Sequence, residues 1–232
     1  QTFQYVFEHT ATFQQGVGGY SGARDTMIRG ATPTQNYATV LEVNADTSSD
    51  GEPSHALFRF DDIIGTEPGQ IESGSTIVSA TLRIRSTDDG NGGDLHAVLQ
   101  PWDDTVVTWE NSFGGDGIQA DDVEAAYLAD DGITQNNPGS DVDLDVAGTL
   151  QAWVDGGVNN GWAVLPGGTN GWHIASAEHA TVDYRPELIV TFISATPNNP
   201  PVAVDDADAT NEDTAVIVAV LANDSDPDED PL

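Results

Sequence analysis

Cysteine is absent from this 232-residue chain, lysine is absent as well, and all six basic residues are arginine. Without cysteine there are no disulfide staples and no thiolate zinc sites. Long apolar runs are missing too, and nothing approaches the ~20 residues of a membrane span. So few cations leave no basic surface for a phosphate backbone or an anionic headgroup, which excludes nucleic acid and membrane insertion as partners. No secretory leader is visible, and the chain opens on Gln1, which reads as a processed amino terminus. Catalytic signatures are also lacking. His9, His55, His96, His173 and His179 are scattered without metal-ligand spacing, and no HExxH, GxSxG or P-loop pattern occurs. Carboxylate pairs are too numerous to diagnose a glycosidase dyad. The chain therefore reads as non-catalytic.

What it does have is acid: 39 carboxylates give a formal net charge of -33. This is not the composition of a disordered polyanion, because five Trp, seven Phe and five Tyr accompany a 38% hydrophobic content. Such a field attracts cations. A salt-adapted, solvated surface explains many of these residues equally well. The excess of aspartate over glutamate favours calcium, since a short carboxylate stem suits oxygen-ligand loops built on Gly and Asn turns. Together with the missing cysteines and lysines, these loops suggest a bacterial or archaeal protein working outside the cell.

Alternating apolar positions bounded by Gly, Asn, Asp and Pro mark strands along most of the chain. Thr76–Ser86 alternates Ile77, Thr81 and Leu82 with Arg83 and Arg85 and reads as a long strand with one wet face. Further strands are expected at Gln4–Phe7, Thr26–Arg29, Val40–Val43, Ala56–Phe60, Leu95–Leu99, Val106–Trp109, Val142–Val146, Trp162–Leu165 and Glu187–Ile193. The pattern predicts an all-β protein, a two-sheet sandwich or jelly roll. One segment departs from it. Val146, Leu150, Trp153 and Val154 fall at helical spacing before Gly156 and Gly157, so a short helix is expected, with Trp153 in the core.

Composition changes after Ala195. Residues 196–201 (TPNNPP) form a turn-rich linker, and residues 202–232 follow as an acidic extension with room for one or two strands. Within it, Thr214–Leu221 (TAVIVAVL) is a β-branched apolar run, and one or two strands cannot make a core of their own. Left bare, it is an aggregation-prone edge. Either it folds back on its own sandwich, or it pairs with a neighbouring copy. The second option makes Val216, Ile217, Val218, Val220 and Leu221 a donor strand, and a head-to-tail contact of this kind builds an open fibre.

Several segments, in order, resemble the landmarks of DNRLRE-type domains: Phe13–Arg29 (FQQGVGGYSGARDTMIR), Ala56–Phe60, Ser79–Ile84, Val98–Trp109 (VLQPWDDTVVTW), the region of Trp153, and Ile174–Phe192. The resemblance spans nearly all of residues 1–195. It implies a β-sandwich of a family grouped with carbohydrate-binding modules and appended to secreted enzymes and surface proteins. A polysaccharide site would use exposed aromatics stacked on sugar rings. Tyr20, Trp102, Trp109 and Trp172 are the candidates, with core packing as the competing reading. Pro201–Leu232 resembles the opening of bacterial cadherin-like repeats, found in large surface adhesins, including their Asn-Asp-x-Asp-Pro-Asp turn.

The candidate calcium ligands follow. Asn223, Asp224, Asp226 and Asp228 space oxygen donors along a proline-fixed turn, with Asp205, Asp206, Glu212 and Asp213 able to face them. In the body, Asp88, Asp89, Asn91 and Asp94 (DDGNGGD) have the texture of a calcium loop, though the same residues make ordinary hairpin turns. Asp141, Asp143 and Asp145 alternate on one face, where three like charges repel unless a cation or solvent intervenes. These residues predict a secreted structural subunit of an extracellular, calcium-binding fibre or matrix/adhesion element whose partners are further copies of itself. The alternative is a carbohydrate-binding module of a secreted polysaccharide-active enzyme or adhesin.

Overall fold

The computed structural model describes residues 7–48, 53–135, 137–195 and 201–227. The chain divides into two compact units, one of them Glu8–Ala195 and the other containing Phe7 and the described residues of the extension. The larger unit holds strands β1 (Glu8–Gln14), β2 (Ala23–Arg29), β3 (Glu42–Ala45), β4 (Ser54–Phe60), β5 (Thr76–Arg85), β6 (Gly93–Ala97), β7 (Asp131–Ile133) and β8 (Asp141–Asp145). Helix α1 (Ala147–Val154) follows, then β9 (Trp162–Pro166), β10 (Trp172–Ala175) and β11 (Glu187–Ile193).

Two antiparallel sheets, ordered β1-β11-β5-β8 and β2-β4-β9-β6-β7, form the sandwich, with β3 and β10 as a separate ribbon. Period-two alternation places Leu82 and Ile84 of β5 and Leu188 and Val190 of β11 inward. They meet Phe58, Phe60, Leu95, Trp162 and Val164 from the facing sheet in one buried cluster. Thr81, which the sequence grouped with the apolar positions of β5, lies instead on the outer face with Arg83 and Arg85, and Ala80 takes the inward place.

The five-stranded sheet is covered on both faces. Ile28, Leu57 and Ala163 point away from the main core and pack under Val98, Trp102, Val107, Trp109, Phe113 and Ile118 of the long 98–125 loop. This corrects the strand expected at Val106–Trp109, which is loop. Its apolar residues cover a sheet instead of belonging to one. The strand expected at Gln4–Phe7 falls mostly outside the described residues, and Phe7 itself is not in a strand.

Helix α1 forms where the apolar stripe ends at glycine. Leu150, Trp153 and Val154 are buried, and the Trp153 ring lies 4.5 Å from that of Trp162. Gly156 sits at φ 105, in the left-handed region open to glycine, and Gly157 N–H closes the last turn on the Ala152 carbonyl at 2.9 Å. Trp153 is thus core, as its spacing predicts. Among the described residues no helix is long and apolar enough to cross a membrane.

The extension contains less regular structure than its sequence suggests. Among its described residues the one bridge joins Val202 to Ser225, closed by Val202 N–H to Ser225 O at 2.7 Å and Ser225 N–H to Val202 O at 3.2 Å. Residues 214–221 have no strand pairing and leave their apolar side chains accessible, with Ile217 94% exposed.

Candidate functional site

The aromatic candidates turn inward. Trp172, on β10, is wholly buried and donates its indole N–H to Ser86 Oγ at 2.8 Å. Trp102 is 7% exposed, gives its N–H to the Asn160 carbonyl at 2.7 Å, and carries the Arg59 guanidinium over its ring at 4.6 Å. That guanidinium is itself held by Asp61, at 2.5 Å from Nε, and by the Trp102 carbonyl at 2.6 Å. Trp109 packs on His55, the ring centres 5.5 Å apart. None of the three indoles presents an open face for a pyranose, which corrects their reading as a stacking platform. They close the second core under the 98–125 loop or fill the first.

Tyr20 differs. It is half-buried, its ring packed on Phe13 and Phe60, and its hydroxyl donates to the Asp61 carbonyl at 2.8 Å. Burial, followed by the nearby Asp61 charge, raises its pKa, so the phenol stays neutral. It borders a cleft of about 320 Å³ shared with Val17, Asp62, Glu67 and Gln70.

The acidic loops are distributed among several tasks. In the extension, the Val202–Ser225 bridge brings the 223–226 turn against residues 202–205. Asp224 accepts the Val204 amide at 2.7 Å, and the Asn223 amide reaches the Asp205 carbonyl at 3.4 Å. Asp206, Glu212, Asp213 and Asp226 belong to the same acidic segment, and Asp228 lies outside the described residues. In the body, Asn91 clamps the β9–β10 loop, its Oδ1 accepting the Asn170 amide at 2.9 Å and its own amide reaching the Asn170 carbonyl at 2.9 Å. Asp88 accepts the following amide at 2.9 Å. Gly92, at φ 68, passes so close to the Ile133 carbonyl that a Cβ would collide with it. The glycines of this loop therefore serve backbone packing, Asp89 is exposed, and Asp94 points outward from β6. Among the described residues, no three Asp, Glu or His side chains converge closely enough to hold an ion.

The β8 aspartates find their cations across the sheet. Register places Arg83 opposite Asp143 and Arg85 opposite Asp141. Arg83 grips Asp143 through two hydrogen bonds, at 2.7 and 2.9 Å, and Arg85 meets Asp141 at 2.8 Å. The hydrogen bonds from Arg83 hold Asp143 below the usual carboxylate range. The repulsion expected of the ladder is thus answered by arginine at two of its three rungs. A double-mutant cycle on Arg83 and Asp143, read by urea denaturation, is expected to give a coupling of about 0.5–1 kcal/mol that shrinks in high salt, because the pair is exposed.

One cluster had no signature in the sequence. Asp25, inward on β2, holds the Ala177 amide of the turn after β10 at 2.6 Å and so comes beside Glu178. The two positions are far apart in the chain, and only the fold joins them.

What fold and contents define is an acidic β-sandwich with its five tryptophans turned inward. Set against known protein families and characterised proteins, the sequence matches no family model and no characterised relative.

Proposed function

We propose that this chain is a secreted, non-catalytic structural subunit of an extracellular, calcium-binding fibre or adhesion matrix, in which residues 214–221 are donated as a strand to a neighbouring copy. The observation that carries the reading is the state of that segment. Val216, Ile217, Val218, Val220 and Leu221 are 42%, 94%, 40%, 59% and 56% exposed. Burying a Val, Leu or Ile side chain is worth about 1.5–3 kcal/mol, so five on one short ribbon form a large unspent driving force. Such a segment is a template for strand addition. The sandwich offers acceptors, since its sheets end in β1, β8, β2 and β7. Calcium suits the junction because the ribbon is flanked by Glu212, Asp213, Asp224 and Asp226 and must approach a strongly acidic body.

The test removes residues 198–232 and follows particle size by light scattering and electron microscopy, with calcium and with chelator. The 232-residue chains are expected to form filaments that fray on chelation, and the truncated chains to stay folded monomers. Polymers that persist after truncation end the donor-strand idea. The cleft beside Tyr20, with Asp62, Glu67 and Gln70 at its rim, favours a second reading, a polysaccharide-binding module. Glycan-array binding by the truncated monomer, abolished by Tyr20→Ala in a variant that remains folded, would establish that alternative.

A further inference from the structure

Asp25 is the most deeply placed acid among the described residues of the sandwich. Ala23 and Met27 of β2 face the main core, and alternation sets Asp25 between them on the same side, 3% exposed. Its Oδ2 accepts the Ala177 amide at 2.6 Å. Its Oδ1 is buried with no donor to satisfy it, and Glu178, an exposed residue that follows Ala177 in the chain, sets its carboxyl beside that of Asp25. Two ionised carboxylates cannot make such a contact, because each can only accept. Something positive has to lie between them.

Among the described residues no ion pair reaches either carboxyl, and the arginine beside this turn, Arg185, donates its Nε to the His179 carbonyl at 2.8 Å and its Nη1 to the Gln15 carbonyl at 2.9 Å. Across the register on β4 stands Phe58. The 103–107 loop adds Asp104, a third acid acting on both carboxyls. In the turn after β10, Ser176 donates its hydroxyl to the Val40 carbonyl at 2.6 Å and accepts the Glu178 amide at 3.1 Å. No arginine or histidine ranks among the charges acting on either carboxyl. A metal ion is disfavoured by the same geometry, which gathers no third side-chain ligand among the described residues.

We infer that one proton fills the gap: Asp25 is a carboxylic acid whose Oδ1–H donates to the Glu178 carboxylate, latching the 176–179 turn onto edge strand β2 and freeing it when that proton leaves. Asp25 is the protonated partner because it is the deeper of the two. Burial first, then the Glu178 charge, moves it well above the usual carboxylate range. The folded chain therefore binds a proton that the unfolded chain has already lost. Stability from the latch is complete below the ordinary aspartate range and declines as pH rises through the elevated value.

Asp25→Asn is the informative variant, since its amide N–H still reaches Glu178 but cannot titrate. Denaturant unfolding of wild type and D25N across pH is expected to show the wild-type folding constant falling relative to the variant by about tenfold per pH unit within the window. Hydrogen exchange at the Ala177 amide should accelerate in wild type beyond the ordinary base-catalysed trend, and not in D25N. If D25N does not fold, Glu178→Gln serves instead. Its amide donates to an ionised Asp25, so the infrared carbonyl band of an un-ionised acid at neutral pH should vanish. A ratio of folding constants flat with pH overturns the latch, as does survival of that band in E178Q. Saturable stabilisation of wild type but not D25N by calcium chloride would also overturn it, by placing a cation where we place a proton.

Discussion

Trp172→Ala is expected to destabilise the sandwich by about 3–5 kcal/mol, the range for truncating a large buried aromatic. The side chain is wholly buried on β10, opposite Ala45 of β3, and belongs to the main core. Truncation opens a cavity and strips the Ser86 hydroxyl of the indole N–H it accepts at 2.8 Å. Trp172→Phe separates the two losses. It keeps most of the volume and forfeits the hydrogen bond, so about 1–2 kcal/mol is expected. Urea denaturation of both variants checks the pair. The result also decides between the two readings of this residue. An exposed sugar platform would lose binding while changing stability by less than about 0.5 kcal/mol. A core tryptophan loses stability and leaves any polysaccharide affinity of the folded fraction intact.

How far the sequence revealed this arrangement depended on which faces were wet. Strands β5, β8 and β11 each have one face toward solvent or arginine pairs, and their alternation located them. Helix α1 was visible because its stripe ends at Gly156. The 98–125 loop was misread at Val106–Trp109 because Val107 and Trp109 are buried without being in a strand. Burial from above by a loop leaves the same apolar signal as burial within a sheet. Strand β1 was missed because Glu8, His9 and Thr10 are exposed and only Ala11, Phe13 and Gln14 are buried. The candidate site was legible in kind and not in geometry. Aspartate-rich turns announced themselves, but nothing local could show that Asn91 holds the β9–β10 loop or that Asp141 and Asp143 face arginines. The Asp25–Glu178 contact lay further beyond reach, since it needs β2 and the turn after β10 to be brought together by the sheets between them.

Acidification is expected to weaken the fold through His55, and by an amount comparable to losing a core side chain. His55 points from β4 into the second core, against Trp109, and its Nδ1 accepts the Ile118 amide at 3.0 Å. An accepting ring nitrogen is unprotonated. Burial disfavours the charged ring and lowers its pKa from 6.5 to about 4. Protonation would also abolish the Ile118 bond. In the unfolded chain the ring takes up its proton near the ordinary value, while the folded chain refuses it. Stability is therefore unaffected by His55 above that value, falls as pH drops through it, and stops falling below the folded value. The full loss amounts to about 3 kcal/mol. The Asp25 latch acts with the opposite sign, gaining as pH falls, so the wild-type profile alone mixes the two. His55→Asn separates them, because an amide oxygen can accept the Ile118 N–H and does not titrate in this range. The variant is expected to be weaker at neutral pH by about 1–2 kcal/mol, from poorer packing on Trp109, and to lose the acid-side decline. The difference in unfolding free energy between wild type and variant, measured by urea at successive pH values, should shrink as pH falls below 6.5, reverse at about pH 5–6, and level off below about 4. Parallel profiles across that range would mean that the buried ring accepts a proton as readily as a solvated one, and that the Ile118 amide is not what fixes its tautomer.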